Sequence, residues 1–133
     1  MKFSSIAVAV LLLGAGAAYA DDDMDRAISS VCDYTKANDR SALRRKLEES
    51  HLELRHVYDD IRCGKASLLR VAAEAGALDT ATLIVTKVGK HALSDAEGDG
   101  QTTLQWTQKR FDSADAATKA RIKPVLDLML SRN

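Results

Sequence analysis

The chain has one proline and seven glycines in 133 positions, and only 5% of its residues are aromatic. So little Pro and Gly, beside abundant Ala, Leu, Arg, Lys and Glu, argues for helix rather than sheet throughout. A charge excess is missing too: 19 Lys and Arg face 19 Asp and Glu. A chain so balanced has no long-range field to gather nucleic acid or anionic lipid. It also lacks G-x-S-x-G, a phosphate-binding loop, C-x-x-C and any Cys–His–Asp grouping within one motif. Those absences argue against an enzyme. Of the three histidines, His51 and His56 are five apart and share no helical face. With His91 they read as surface residues rather than a metal site, and no cofactor is expected. The neighbouring acids Asp59–Asp60 and Asp21 to Asp23 read as solvated faces or a frayed terminus.

What is present begins with a leader. Lys2, the apolar run "IAVAVLLLGAGAA" and the small-x-small site "AYA" at Ala18 to Ala20 have the order of a signal peptide over residues 1–20. The apolar run is shorter than the ~20 residues that span a bilayer. We expect cleavage after Ala20 and a soluble chain, 21–133, in the periplasm or secreted, with no membrane attachment. Removing Lys2 leaves 18 basic against 19 acidic residues. About 113 residues suffice for one domain with one core. Cys32 and Cys63 survive cleavage, and in an oxidising compartment such a pair is expected to be bridged. Closing that loop stabilises by about 3 kcal/mol on the chain-entropy model.

Helical spacing then recurs along the chain. Ile28, Val31, Cys32 and Thr35 form one face after Asp25, a fair N-cap, and "KAND" at Lys36 to Asp39 breaks that helix. A second helix starts near Asp39 or Ser41 and buries Ala42, Leu43 and Leu47. Its outer face carries Arg40, Arg44, Arg45 and Lys46. Glu48 and Glu49 follow Arg44 and Arg45 by four residues, so the face reads as solvated, with charges that can pair along the helix. A short helix is expected within residues 51–62. From Gly64 to Lys90 a strongly apolar helix ends at Gly76, and a second, capped by Asp79, ends at Gly89. Thr102 or Thr103 opens a helix to about Arg110. Ser113 or Asp115 caps the last one, which buries Ile122, Val125, Leu126 and Met129. Pro124 either starts a separate final helix or kinks a longer one.

Two of these hairpins open alike. "SLLRVAAEAGALD" from Ser67 and "TTLQWTQKRFDSAD" from Thr102 both follow a Gly, open with a hydroxyl residue, and start 35 residues apart. This resembles the ankyrin repeat, with its period of about 33 residues and T-P-L-H-x-A opening. Ser67, Leu69, Ala72, Ala73 and Gly76 stand at the family's Thr, Leu, Ala, Ala and Gly. Thr102, Leu104 and Gly100 do so in the last block. Neither opening has the Pro, and the His is replaced by Arg70 and Gln105. The expected fold is therefore all-α, a short stack of about three helix-turn-helix hairpins that resemble ankyrin repeats, with an irregular helical bundle as the alternative. The two cysteines, the "LLR" after the second and the leader also resemble a family of small exported bacterial proteins of unknown function. In that family the second Cys is typically followed by Asn-Gly, here by Gly64–Lys65.

Function follows from those expectations. A stack of hairpins leaves a surface of loop tips and first-helix positions for a protein partner. The resemblance assigns contacts to Lys65, Arg70 and Glu74 in the middle repeat and to Asp99, Gln101, Gln105, Trp106 and Lys109 in the last. Arg70 and Glu74, four apart, can instead pair with each other. The chain is thus expected to be a non-catalytic interaction module, an inhibitor, immunity protein or envelope adaptor. A rival reading takes Asp95, Glu97 and Asp99 before Gly100 as a weak calcium loop of D-x-[DN]-x-[DN]-G form. The twelfth position of such a loop needs a bidentate Glu and is Trp106 here.

Overall fold

Helix ends in this chain are set largely by side chains, some of them distant in sequence. A computed structural model describes residues 22–133, and every regular element among them is helical. The expected signal peptide, residues 1–20, and the cleavage expected after Ala20 lie outside the described residues. Helix α1 covers residues 22–36. Asp25, expected as its N-cap, lies inside it, because a run of carboxylates favours helix at an N-terminus and extends α1 back through Asp22 and Asp23. Asn38 then takes a left-handed conformation, φ 57°. Asp39 caps α2, Arg40–Glu49, by accepting a bond from the Ala42 N–H at 3.0 Å. A one-turn helix α3, Leu54–Val57, and a 3₁₀ turn at Tyr58–Asp60 fill the long connection as expected.

The centre of the molecule is the hairpin of α4, Leu68–Ala75, and α5, Leu78–Val88. Leu68, Leu69, Ala72, Ala73, Ala81 and Ile84 are fully buried here. Gly76 links the two helices at φ 68°, and a Cβ there would meet the Arg121 carbonyl oxygen at 2.5 Å. A left-handed backbone and a close approach both require glycine. Asp79 does not cap α5, contrary to expectation. Ala77 is at the N-cap position, and the Asn38 side chain serves instead. Its Oδ1 accepts from the N–H groups of Asp79 at 2.8 Å and Thr80 at 3.1 Å. The left-handed turn after α1 thus supplies the acceptor that the orphan amides of α5 need.

A short helix α6, His91–Ser94, follows Gly89 and was not legible in the sequence. Helix α7, Thr103–Asp112, opens with a capping box between Thr102 and Gln105 and runs slightly past Arg110. Asp115 caps α8, Ala116–Arg132, by accepting from the Thr118 N–H at 2.8 Å. Pro124 lies inside α8, which continues through it. The carbonyl of Ala120 loses its usual partner there, but Ala120 is exposed and water can serve it. The α7–α8 hairpin packs on the α4–α5 hairpin, and α2 and α3 pack on α5. Cys32 and Cys63 are bridged, Cα to Cα 5.7 Å, and tie α1 to the turn before α4.

Candidate functional site

Two turns precede the two main hairpins and face each other. Cys63 and Ala66 close the first, with Gly64 at φ 67°. Ala96 and Thr102 close the second, where Gly100 takes φ 78° and donates its N–H to the Glu97 carbonyl at 2.9 Å. Ser67, at the N-cap of α4, makes no side-chain bond to its own helix. It donates to Glu97 Oε2 at 3.0 Å instead. Thr103, at the start of α7, donates to the same oxygen at 2.5 Å, and Arg62 donates to Oε1 at 3.4 Å. Glu97 therefore joins the openings of both hairpins.

Arg70 completes the junction from the first turn of α4. Its side chain is only 8% exposed, so its charge must be met inside the protein. Nη1 and Nη2 hold Asp99 in a two-pronged pair at 2.6 and 3.1 Å, and Nη2 also donates to the Gln101 carbonyl at 3.0 Å. Nε lies 3.3 Å from Glu97 Oε2 without forming a well-directed bond. The guanidinium also stands over the Trp106 ring, 5.3 Å from its centre, a cation–π contact. Burial alone would ease the proton off Arg70, but Asp99 and Glu97 outweigh it and push its pKa up. The Arg70 bond, with the Gln101 N–H, pulls the Asp99 carboxyl down to about 2. That contribution to stability is complete above the ordinary 3.8 and is lost as pH falls toward 2.

The junction lines a groove of about 430 Å³ bounded by Arg62, Lys65, Arg70, Asp99 and Trp106. Lys65 and Lys109 are exposed, Trp106 is half-buried, and Gln105 is exposed while its Oε1 accepts from the Thr102 N–H. Four of the eight expected contact residues, Lys65, Arg70, Asp99 and Trp106, therefore meet at one groove, though Arg70 is enclosed rather than on the rim. Gln101 contributes its carbonyl to Arg70. Glu74 goes elsewhere. Rather than pairing with Arg70, it accepts from Arg110 at 3.0 and 2.9 Å and lies 3.8 Å from Arg121. Arg70 faces the turn before α7 and Trp106, whereas Glu74, one helical turn later on α4, faces Arg110 of α7 and Arg121 of α8.

The loop read as a calcium candidate is engaged in the same way. Glu97 and Asp99 face arginines and hydroxyls, and Asp95 pairs with His91. Among the described residues, no group of three or more His, Cys, Asp or Glu side chains is arranged to hold a metal ion. His91 is a second junction that the sequence did not reveal. Its Nε2 meets Asp59 at 2.9 Å and its Nδ1 meets Asp95, four residues on. The bond to Asp59, against slight burial and reinforced by Asp95, raises the imidazole pKa above 6.5. The only local signal was the His91–Asp95 spacing; Asp59 is remote in sequence.

Known proteins add a family match without an activity. The chain is similar over residues 31–95 to the family described as "Protein of unknown function (DUF3718)". That stretch contains both cysteines and stops short of Glu97, Asp99 and Trp106. No curated protein and no solved structure matches the chain.

Proposed function

We propose that this chain is an exported, non-catalytic protein-binding module whose hairpins stack in the manner of ankyrin repeats. The observation that carries this reading is the groove beside Trp106. A large aromatic side chain is held half-exposed by a buried arginine, next to the exposed cations Lys65 and Arg62. Preorganised aromatic anchors of this kind dominate interface energetics, and a rigid surround lowers the entropic cost of binding. The loop bearing Asp99 is fixed through Arg70, so the surface does not have to order itself when a partner arrives. The Cys32–Cys63 bridge suits an oxidising compartment, and a periplasmic or secreted partner follows, such as an exported enzyme to be inhibited or an envelope protein to be escorted.

The test is affinity capture from cell-envelope extracts with wild type and Trp106→Ala, after both variants are shown to melt alike. A protein recovered by wild type and lost from the mutant supports the reading. Equal recovery by both removes Trp106 and its groove as the binding surface.

A further inference from the structure

Among the described residues, the arginines of α2 have no acidic partner. Arg40, Arg44 and Arg45 are exposed, and among the described residues none lies within 4.0 Å of a carboxylate. Glu48 and Glu49, expected to pair with Arg44 and Arg45, do not close on them, in keeping with the weak basic-before-acidic orientation. Arg55 and Lys87 are likewise exposed and, among the described residues, unpaired. These side chains share a landscape. A groove of about 560 Å³ runs between the end of α2, the segment before α3 and the end of α5. Buried Leu47 and Leu54 with half-buried Leu52 form its floor, and Arg44, Arg55 and Lys87 stand on its rim. A second hollow of about 320 Å³, lined by Arg40 and Arg45, shares Arg44 and Glu48 with the first. Among the described residues, the two hollows are lined by five cations and by two carboxylates, Glu48 and Glu53, in a chain with equal numbers of each sign.

We infer that this face docks an acidic, extended segment of a partner polypeptide. Three features select that occupant. The local charge is positive, so an anionic partner is complementary. An apolar floor under a charged rim matches the alternation of an extended chain, which sends successive side chains to opposite sides. The charges are spread along a hollow, whereas a small anion is held by converging donors. A bilayer is flat and meets rim charges while leaving a recessed floor empty. The surface shares no residue with the Trp106 groove, so it stands or falls apart from the function proposed above.

The test uses the folded, disulfide-bonded chain and a labelled peptide alternating Asp and Leu, followed by fluorescence anisotropy. Neutral Asn-Leu peptide, polyphosphate and vesicles containing an anionic lipid serve as competing ligands. The Asp-Leu peptide binds, the Asn-Leu peptide does not, and binding is lost as salt rises from about 0.1 M to about 1 M. Arg44→Glu combined with Arg55→Glu weakens binding by about tenfold or more. Lys87→Glu weakens it independently, should the double variant melt early. Lys109→Glu and Trp106→Ala leave it unchanged. Equal binding of the neutral peptide, wild-type affinity in the charge-reversed variants, or capture of vesicles or polyphosphate without the peptide would each overturn the inference.

Discussion

Arg70 and Arg44 occupy similar places in sequence, each in an early turn of a helix that carries other charges. Their surroundings are opposite. Arg70 is enclosed and bonded to Asp99 and the Gln101 carbonyl, with Glu97 beside it. Arg44 is exposed and, among the described residues, faces no carboxylate at bonding distance. The arginines around α4, α7 and α8 hold the hairpins together, while those of α2 leave their charge available to solvent or a partner. Local charge pattern does not distinguish the two cases, because the acids that neutralise Arg70 are 27 and 29 residues away.

The widest separation between the two regions is in stability. Arg70→Ala leaves Glu97 and Asp99 without their shared cation and removes packing from Trp106. It is expected to cost about 3 kcal/mol, whereas Arg44→Ala stays within about 0.5 kcal/mol of wild type. Urea melts of both variants check this, and equal losses would erase the distinction. Of intermediate size is Asn38→Ala, which removes the acceptor for two amides of α5 and puts Ala at φ 57°. A loss of about 1–2 kcal/mol is expected. Asn38→Gly, which keeps the backbone but not the acceptor, separates the two causes.

The smallest effect belongs to the exposed His91 junction. Its folded pKa is raised, so its stabilisation is complete below pH 6.5 and lost as pH rises through the raised value. His91→Gln is therefore expected to cost up to about 0.5 kcal/mol in mild acid and nothing measurable in mild alkali. A gap that is constant with pH would show that the imidazole acts through packing rather than charge.

Much of the helical framework could be read in advance because periodicity and caps are local. The apolar faces of α4, α5 and α8 and the stops at Gly76 and Gly89 follow from neighbours within a turn, as do the caps at Asp39, Thr102 and Asp115, each one of two candidates that the sequence offers. The failures at the two junctions and at the start of α5 share one cause. Asn38 in place of Asp79 at the start of α5, Glu97 against Ser67, and Asp59 against His91 all depend on residues about thirty or more positions apart. Arg70 is expected at a contact surface because the repeat resemblance puts first-helix positions there. Its burial required the 96–102 turn to fold over it. Among the candidate contacts, Lys65, Gln105 and Lys109 are exposed, and Trp106 is half-covered by a contact no local pattern carries.

By itself the sequence determined that the chain is helical, where most helices begin and end, and that Cys32 and Cys63 are a pair suited to bridging. Those outcomes rest on 3.6-residue periodicity, on capping chemistry and on the rarity of Pro and Gly, all of which act over short spans. Only the tertiary structure decided which charges are consumed and which stay free. Ion pairing depends on distance and burial, and both arise when hairpins from separate parts of the chain come together.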